Sequence, residues 1–389
     1  MTISGRGRQS QKALKFGESV IRGMTRLCRE YDGVNLSQGF PDFPAPELIK
    51  EAACRAIRDD VNQYAITWGA APLRTAISAK MEKFYGLRVD PEREITVCCG
   101  ATEAMISALL AIVDPGDEVI VFAPFYENYG PDAIICEAVP RYVELKAPDW
   151  SFAVEELTAA FNEKTRAIII NTPHNPTGKV FDRRELEVIA DLCIRHDVIA
   201  ITDEIYEHIL YDGAEHLPLA TLPGMAERTI TINGISKTFS VTGWRIGWCL
   251  AAPEITAGIR KLHDFVTVGA PAPLQEAAAA MLATDDDYYA GLASSYREKR
   301  DFLLEVLTGA GFQCHVPRGA YYIMADFRDL SRLGDVEFAH WLVREKGVAS
   351  VPGASFLPPG APESGMVRFC FCKTAKTLEA AAARLARLG

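Results

Sequence analysis

Lys237 and Arg245 are the most informative residues of the sequence because of the run in which they stand. That run reads Asn233-Gly-Ile-Ser-Lys-Thr-Phe-Ser-Val-Thr-Gly-Trp-Arg-Ile-Gly-Trp248, and most of its side chains are small or apolar. A lysine without ion-pair partners and partly removed from water favours its neutral amine, the form that condenses with a carbonyl as a Schiff base. Arg245 is always charged and suits a phosphate. The run therefore predicts a site for a ligand with both groups.

Other chemically useful residues stand at the ends of apolar segments. Asp203 ends a buried strand, and because a buried carboxylate without a partner is costly, we expect it to face a cation. Gly100 precedes an apolar helix running to Val113, and such a helix start offers backbone N–H groups to a phosphate. Arg368 is the one charged residue in an apolar strand, so we expect an anion there, and its planar fork matches a carboxylate.

The elements that must position these residues follow an α/β pattern, in which apolar strands alternate with longer amphipathic stretches. The clearest predicted strands are Glu118 to Ala123, Arg166 to Asn171, Val198 to Thr202, Thr229 to Asn233 and Gly247 to Ala252. Apolar residues at helical spacing predict a helix from Asp182 to His196. From about Pro271 the pattern changes to helices and short strands, which indicates a second, α+β domain. We expect a helix around Glu18 to Glu30 to complete it.

Composition excludes several classes of partner. The chain has 389 residues and a net charge of -10, which argues against nucleic acid or an anionic membrane surface. It contains no uninterrupted apolar run of 18 residues. Ten scattered cysteines predict buried thiols in a reducing cytoplasm. We expect the side chains of Cys370 and Cys372 to point to opposite sides of a strand, and we therefore expect no metal site.

The run around Lys237 resembles the lysine segment of class I aminotransferases of fold type I, and the resemblance extends from about Phe16 to the C-terminus. It implies pyridoxal 5'-phosphate (PLP) as the cofactor. It also implies an α/β fold with a mostly parallel seven-stranded sheet between helices and a smaller α+β domain. We expect a disordered segment over 1–12, an N-terminal segment over 13–45 that joins the small domain and covers the site, a large PLP-binding domain over 46–275 and a small domain over 276–389.

The resemblance assigns a role to each motif. Lys237 would hold PLP as a Schiff base and remove the α-proton of the substrate, in a ping-pong reaction between an L-amino acid and a 2-oxo acid. Asp203 would pair with the pyridinium nitrogen, and Tyr206 would bind the 3-oxygen of the cofactor. The residues that the resemblance places around the phosphate are Ala101, Thr102, Ser236 and Arg245.

Four further residues complete the expected site. Tyr126, in the turn after a strand, would stack on the pyridine ring, although a core aromatic would look identical in sequence. Asn175, in the Asn-Pro-Thr-Gly motif, would lie at the phenolic oxygen and near the substrate carboxylate. Arg368 would grip that carboxylate, and Gly39, in a mobile segment, would lend it a backbone group. His174 is expected to be structural.

Tyr64 has an expected role in a neighbouring subunit. It follows Asn62-Gln63 and resembles the tyrosine that reaches the phosphate of the other protomer, which implies an obligatory homodimer with shared active sites. Taken alone, Thr102 is equally consistent with a residue that binds the phosphate and with an ordinary N-cap of the helix.

Substrate choice depends on smaller features. Aspartate aminotransferases of the nearest subgroup carry a lysine at the position of Thr102, where it meets the side-chain carboxylate of the substrate. This chain lacks that lysine, which favours neutral or aromatic donors such as methionine, glutamine, phenylalanine or kynurenine. Relatives with such donors often have an aromatic where this chain has Ile21, and many have a serine at the position of Gly234. Aspartate aminotransferase and cysteine-conjugate β-lyase remain alternatives. A regulator with an added DNA-binding domain and a nicotinamide-dependent dehydrogenase are disfavoured, the latter because no G-x-G-x-x-G follows the early strands.

Overall fold

The computed structural model describes residues 8–10, 12–386 and 388. The helices are α1 (Val20–Glu30), α2 (Glu47–Arg58), α3 (Ala71–Tyr85), α4 (Ala101–Ile112), α5 (Tyr129–Ile135), α6 (Val154–Ala160), α7 (Arg183–His196), α8 (Pro253–Thr267), α9 (Ala272–Leu282), α10 (Asp286–Gly309), α11 (Asp335–Lys346) and α12 (Ala375–Leu385). The strands are β1 (Val34–Asn35), β2 (Ile95–Cys98), β3 (Glu118–Ala123), β4 (Val139–Glu144), β5 (Thr165–Asn171), β6 (Ile199–Asp203), β7 (Thr229–Gly234), β8 (Gly247–Leu250), β9 (Gln313–Cys314), β10 (Tyr322–Asp326), β11 (Val348–Ala349), β12 (Val351–Pro352) and β13 (Met366–Cys370).

Seven strands form the large sheet, in the order β2-β8-β7-β6-β5-β3-β4. β8 pairs antiparallel with both β2 and β7, and the pairs from β7 to β4 are parallel. Every strand except β8 therefore runs in one direction. Their carboxyl ends meet at one edge of the sheet, and β8 begins at that edge. This is where ligands bind in open α/β folds.

The sheet is covered on both faces because its central strands are apolar at successive positions. Ile169 of β5 packs with α4, α5 and α8, whereas its neighbours Ile168 and Ile170 pack on the opposite face with α6 and α7. Successive side chains of a strand point to opposite faces, so a run of three isoleucines fits a strand buried between two helical layers. The mostly parallel seven-stranded α/β sheet predicted from the sequence is confirmed.

A second sheet lies in the C-terminal part of the chain, with the antiparallel order β12-β13-β10-β9. β1 pairs in parallel with β11, and α1 contacts α11, so the N-terminal segment packs on C-terminal elements. The expected role of residues 13–45 and the expected domain boundaries stay predictions. Of the segment 1–12, residues 1–7 and 11 lie outside the described residues. Lys12 is placed and forms an ion pair with Glu137.

Most expected elements differ from the observed ones by only one to three residues at their ends. The strand expected to reach Ala252 ends at Leu250, because Ala252 is the N-cap of α8. The expectation for Cys370 and Cys372 is wrong. Residues two apart on a strand have their side chains on the same face and not on opposite faces. In the structure, β13 ends at Cys370, and the thiols of Cys370 and Cys372 interact with each other. In the described part of the chain, no helix is long and apolar enough to cross a bilayer.

Candidate active site

One cavity of about 470 Å³ lies at the carboxyl edge of the large sheet. That volume lies in the range of small-molecule sites. Eleven of the twelve residues predicted from the sequence line it, because most of them follow strands that end at this edge. They are Gly39, Ala101, Thr102, Tyr126, Asn175, Asp203, Tyr206, Ser236, Lys237, Arg245 and Arg368. Tyr64 does not, and it is 86% exposed.

The start of α4 forms the phosphate end of the cavity. Gly100 is the N-cap, with a φ of 84° and no side chain to cap the helix, so Thr102 is not an N-cap here. A Cβ at Gly100 would collide with the Arg245 guanidinium, which therefore lies directly against this turn. The first N–H groups of a helix have no partner within it and sit at the positive end of its dipole. Together with a permanent cation, they form a cradle suited to a phosphate dianion.

Lys237 lies in the loop between β7 and β8. Its Nζ donates to the Gly39 carbonyl oxygen at 3.2 Å and lies 5.9 Å and 5.7 Å from the ring centroids of Tyr206 and Tyr321. Burial lowers the pKa of the Lys237 amine from its usual value to about 8, even though Cys372 and Asp203 favour the charged form. A neutral amine is therefore accessible near physiological pH, as Schiff-base formation requires.

Asp203 is the last residue of β6 and is buried. Its Oδ2 accepts a hydrogen bond from the Tyr129 hydroxyl at 2.7 Å, and its Oδ1 accepts one from the Ile205 N–H at 3.2 Å. Burial raises the pKa of the Asp203 carboxyl, while these hydrogen bonds act in the opposite direction. A cationic ring nitrogen in the cavity would lower that pKa again, because it would stabilise the charged carboxylate.

Arg368, in the middle of β13, is only 1% exposed, yet its hydrogen-bond partners are neutral. Its Nη1 donates to Asn175 Oδ1 at 2.7 Å and its Nη2 to the Ser37 carbonyl oxygen at 2.8 Å. The Arg368 Nε is buried with no hydrogen-bond partner among the described residues. The guanidinium also lies 4.1 Å from the Tyr322 ring centroid. An internal salt bridge would also explain an arginine in an apolar strand, but no carboxylate among the described residues pairs with Arg368, so its charge is left for a ligand.

Asn175 is held in turn by the strand ends. Its backbone N–H donates to Asn171 Oδ1 at 2.7 Å, and Asn171 Nδ2 donates to the Asp203 carbonyl oxygen at 2.8 Å. The loop after β5 is thus tied to the end of β6. This arrangement fixes the Asn175 amide between the cavity and the Arg368 guanidinium.

Three other predicted residues lie in the cavity wall. The Tyr206 hydroxyl lies 3.0 Å from that of Tyr322, and burial raises the pKa of Tyr206. The Tyr126 ring lines the cavity 5.7 Å from the ring of Tyr129. Ser236 is buried beside Lys237, and the phosphate contact expected of it stays a prediction.

His174 and Gly39 differ in their relation to the cavity. His174 lies outside the cavity lining and is buried in its loop, where Nδ1 lies 2.7 Å from the Thr177 hydroxyl, as expected of a structural residue. The Gly39 carbonyl accepts from both Lys237 and the Tyr321 hydroxyl, the latter at 2.9 Å. A Cβ at Gly39 would collide with the Tyr322 ring, so only glycine fits this close approach.

Among the aromatic residues that sequence reasoning missed, Tyr129 and Tyr322 line the cavity, and Tyr321 lies against the Lys237 amine and the Gly39 carbonyl. Tyr129 carries a weak sequence signal, because it lies three residues after Tyr126 in a segment that continues as a helix. Residues three apart share a face of a helix. Tyr321 directly precedes β10 and Tyr322 begins it, more than 80 residues after Lys237, so only the tertiary fold brings them to Lys237 and Gly39.

Comparison with known proteins agrees with this geometry. The family model described as aminotransferase class I and II matches residues 31–385. The chain belongs to this family. It is 41% identical over 383 residues to the probable N-succinyldiaminopimelate aminotransferase DapC of Mycobacterium tuberculosis, with 96% of each chain covered. It is 36% identical to the methionine aminotransferase of Escherichia coli, with 97% of each chain covered.

Solved structures of class I aminotransferases superpose closely on the chain. The N-succinyldiaminopimelate aminotransferase from M. tuberculosis gives a TM-score of 0.95 at 41% identity and covers 98% of this chain and 100% of its own. Aspartate aminotransferase from Thermus thermophilus with maleate gives 0.91 at 33% identity, covering 99% and 100%. The protein is therefore a transaminase that uses PLP, with amino acids and 2-oxo acids as substrates.

The residues present fit PLP. The helix N-terminus and Arg245 suit its phosphate, and the Lys237 amine has a lowered pKa that suits its aldehyde. The buried Asp203 carboxyl lines the cavity, where a protonated ring nitrogen would pair with it. These three groups would hold the three ends of the cofactor.

Proposed function

We propose that this aminotransferase takes an L-amino acid with a neutral or aromatic side chain as its donor, such as methionine, glutamine, phenylalanine or kynurenine. The observation that carries the proposal is the set of cations around the cavity. Among the described residues that line it, the cations are Arg22, Lys237, Arg245 and Arg368. Three of these match the aldehyde, the phosphate and the α-carboxylate, and the fourth, Arg22, is exposed.

The interior of the cavity offers little to the side-chain carboxylate of aspartate. Thr102 stands where a lysine would meet that group in aspartate aminotransferases of the nearest subgroup. The buried Ile21 packs with Val351 and Phe356 at the cavity wall. Asp132 also lines the cavity, where it adds a carboxyl group and no cation that could pair with an aspartate side chain, and burial raises the pKa of that carboxyl to about 7.

The residues divide the work of the reaction among themselves. Arg368 binds the α-carboxylate and Asn175 orients the guanidinium, so the α-hydrogen is held toward Lys237. The Lys237 amine, neutral above a pH of about 8, accepts the α-proton. PLP, when bound, supplies an electron sink for the resulting carbanion. Asp203, held by Tyr129, would keep the ring nitrogen of PLP protonated.

A second donor class is favoured by one observation, which is the position of Arg22 at the exposed side of the cavity. A donor with a long side chain that ends in a carboxylate would reach past the apolar wall to this guanidinium. N-succinyl-L,L-diaminopimelate, the substrate for which the M. tuberculosis relative is named, has such a side chain.

We propose further that the protein is a cytoplasmic homodimer with shared active sites. A set of exposed apolar residues supports this, formed by Tyr64, Ile66, Phe265, Val266 and Val268. The segment with Tyr64 and Ile66 lies beside the end of α8, where the other three residues lie, as the hydrogen bond from Thr67 Oγ1 to Asp264 Oδ1 at 3.4 Å shows. A contiguous apolar surface of this kind marks an interaction site, and Tyr64 upon it would then enter the site of the partner. The ten cysteines, all free thiols, agree with a reducing compartment.

The test is a panel of single amino acids mixed with the holoenzyme, followed by the change in cofactor absorbance, with Lys237→Ala as the inactive control. We expect rapid conversion with methionine, glutamine, phenylalanine or kynurenine and slow conversion with aspartate. Faster conversion with N-succinyl-L,L-diaminopimelate, lost in Arg22→Gln, would establish the second class instead. Fast conversion with aspartate would overturn both, and pyruvate release from a cysteine conjugate without a 2-oxo acid would indicate the β-lyase. Sedimentation of the same preparation tests the dimer.

A further inference from the structure

A buried histidine lies between the phosphate cradle and the segment that carries Tyr64. His263, on α8, has no exposed surface. Its Nδ1 lies 3.1 Å from both carboxylate oxygens of Glu103, and its Nε2 lies 3.0 Å from the Thr67 carbonyl oxygen. Glu103 is the third residue of α4, directly after Ala101 and Thr102. Neither His263 nor Glu103 lines the cavity, so neither touches cofactor or substrate.

The hydrogen bonds determine the protonation state of this ring. A carbonyl oxygen can only accept, so the Nε2 of His263 must carry a hydrogen. The Glu103 carboxylate accepts from the Cys99 N–H at 2.9 Å and from the Ser107 hydroxyl, which favours its ionised form. An ionised carboxylate facing Nδ1 requires a hydrogen there too. The ring is therefore an imidazolium, paired with Glu103 in the interior.

The pKa shifts of the two partners agree with this geometry. The Glu103 carboxylate raises the pKa of His263 against the opposing effect of burial, and His263 together with Ser107 and Cys99 lowers the pKa of Glu103 against the same effect. Asp264 also favours the charged ring. The Cys98 thiol also lies close to the pair.

The pair controls the turn that forms the cradle. The Glu103 carboxylate folds back onto the Cys99 N–H, so it closes the turn in which Gly100 takes its positive φ. That turn aims the free N–H groups of Ala101 and Thr102. At the other end of the imidazolium, the Thr67 carbonyl fixes the segment three residues after Tyr64.

We propose that His263 is a positioning residue for the cofactor phosphate, which acts through Glu103 on the turn at Gly100 and through the Thr67 carbonyl on the segment that carries Tyr64. The inference concerns the cofactor, so it is independent of which amino acid is the donor. It uses the assignment of the phosphate to the start of α4.

The experiment compares two ligands that differ only in the phosphate. Full-length His263→Gln and Glu103→Gln are freed of cofactor and titrated with PLP and, separately, with pyridoxal, which lacks the phosphate. We expect PLP affinity to fall about tenfold to a hundredfold, as for loss of a buried charge-assisted hydrogen bond. Pyridoxal affinity should stay within about twofold of the unaltered protein, because Lys237 and Asp203 are untouched.

A matched control lies elsewhere in the same fold. His216 Nε2 contacts Glu204 Oε2 at 2.8 Å in another buried histidine–carboxylate pair, away from the cradle. His216→Gln should leave both affinities unchanged. Glu103→Gln serves as the second variant in case His263→Gln folds poorly, because the glutamine keeps an acceptor oxygen for the Cys99 N–H. In Glu103→Gln, the phosphorus NMR shift of bound PLP should differ from that of the unaltered protein. Equal losses for PLP and pyridoxal, or no loss for PLP in Glu103→Gln, would overturn the proposal.

Discussion

Two buried arginines of the C-terminal part of the chain differ in how their charge is balanced. Arg300, 4% exposed, forms ion pairs with Asp212 at 2.5 Å and Asp301 at 2.7 Å. Arg368, 1% exposed, has only the Asn175 amide and the Ser37 carbonyl as hydrogen-bond partners among the described residues. A buried charge without a counter-ion is costly, so it persists where a ligand supplies the opposite charge.

The same contrast separates two lysines. Lys80 is buried and forms an ion pair with Glu207 at 2.5 Å, where Tyr85 and Asn233 also donate to the carboxylate. Lys237 donates to a neutral carbonyl between two tyrosine rings. In both comparisons, the cation that is paired within the fold supports the structure, and the cation that lacks a carboxylate partner faces the cavity.

The largest expected effect distinguishes the two lysines. Lys237→Ala should lower the transamination rate about ten-thousandfold or more, because both the covalent attachment and the general base are lost. Its free energy of unfolding should change little. Lys80→Met should instead destabilise the fold by about 3–5 kcal/mol, because it leaves Glu207 buried and unpaired. Urea unfolding and single-turnover kinetics on both variants measure this, and a stable but inactive Lys80→Met would contradict the comparison.

The two arginines should separate in the same way. Arg368→Gln should raise the KM for the amino donor about a hundredfold, since a bidentate carboxylate contact is lost. Arg300→Gln should leave KM unchanged and lower stability by about 1–3 kcal/mol, because its hydrogen bonds to charged groups are lost. Steady-state kinetics with one donor and thermal unfolding compare them. An unchanged KM in Arg368→Gln would mean that the substrate carboxylate binds elsewhere.

The pH dependence of cofactor attachment sharpens the contrast for Lys237. Its lowered pKa of about 8 means that the neutral amine increases with pH up to that value and is nearly complete above it. The rate at which the cofactor-free protein attaches PLP should therefore rise about tenfold per pH unit below pH 8 and level off above it. Stopped-flow absorbance from about pH 6 to about pH 10 records the profile. A rate that still rises about tenfold per pH unit well above that pKa would show an amine with an ordinary pKa.

The smallest expected effect concerns Tyr129, whose hydroxyl supports Asp203. Tyr129→Phe removes one hydrogen bond that lowers the pKa of the carboxyl, so that pKa should rise further and the transamination rate should fall by roughly five- to thirtyfold. The folded protein should persist. Measuring the rate against pH distinguishes an effect through the pKa of Asp203 from a structural effect. An effect through that pKa should lower the rate only at low pH, where the carboxyl is protonated. Loss of folding would indicate a structural role instead.

Much of the fold followed from local pattern. The apolar run of β5 and the helical spacing of apolar residues after Asp182 predicted a strand and a helix close to their observed positions, because side-chain period is a local property. The motifs at the ends of the strands predicted residues of the cavity, since the parallel strands end at the same edge of the large sheet. The failed expectation for Cys370 and Cys372 came from a mistaken period. The roles of the individual site residues stay predictions.

By itself, the sequence determined the family, the cofactor and eleven of the residues that line the cavity, because most of the motifs join a strand end to a turn of fixed chemistry. Only the tertiary structure decided which side chains support them. Tyr129 reaches Asp203, Asn175 reaches Arg368, and His263 reaches Glu103 across 74, 193 and 160 residues of chain. Such contacts depend on how helices and strands pack, and no local spacing encodes whether a buried charge meets a counter-ion or an open cavity.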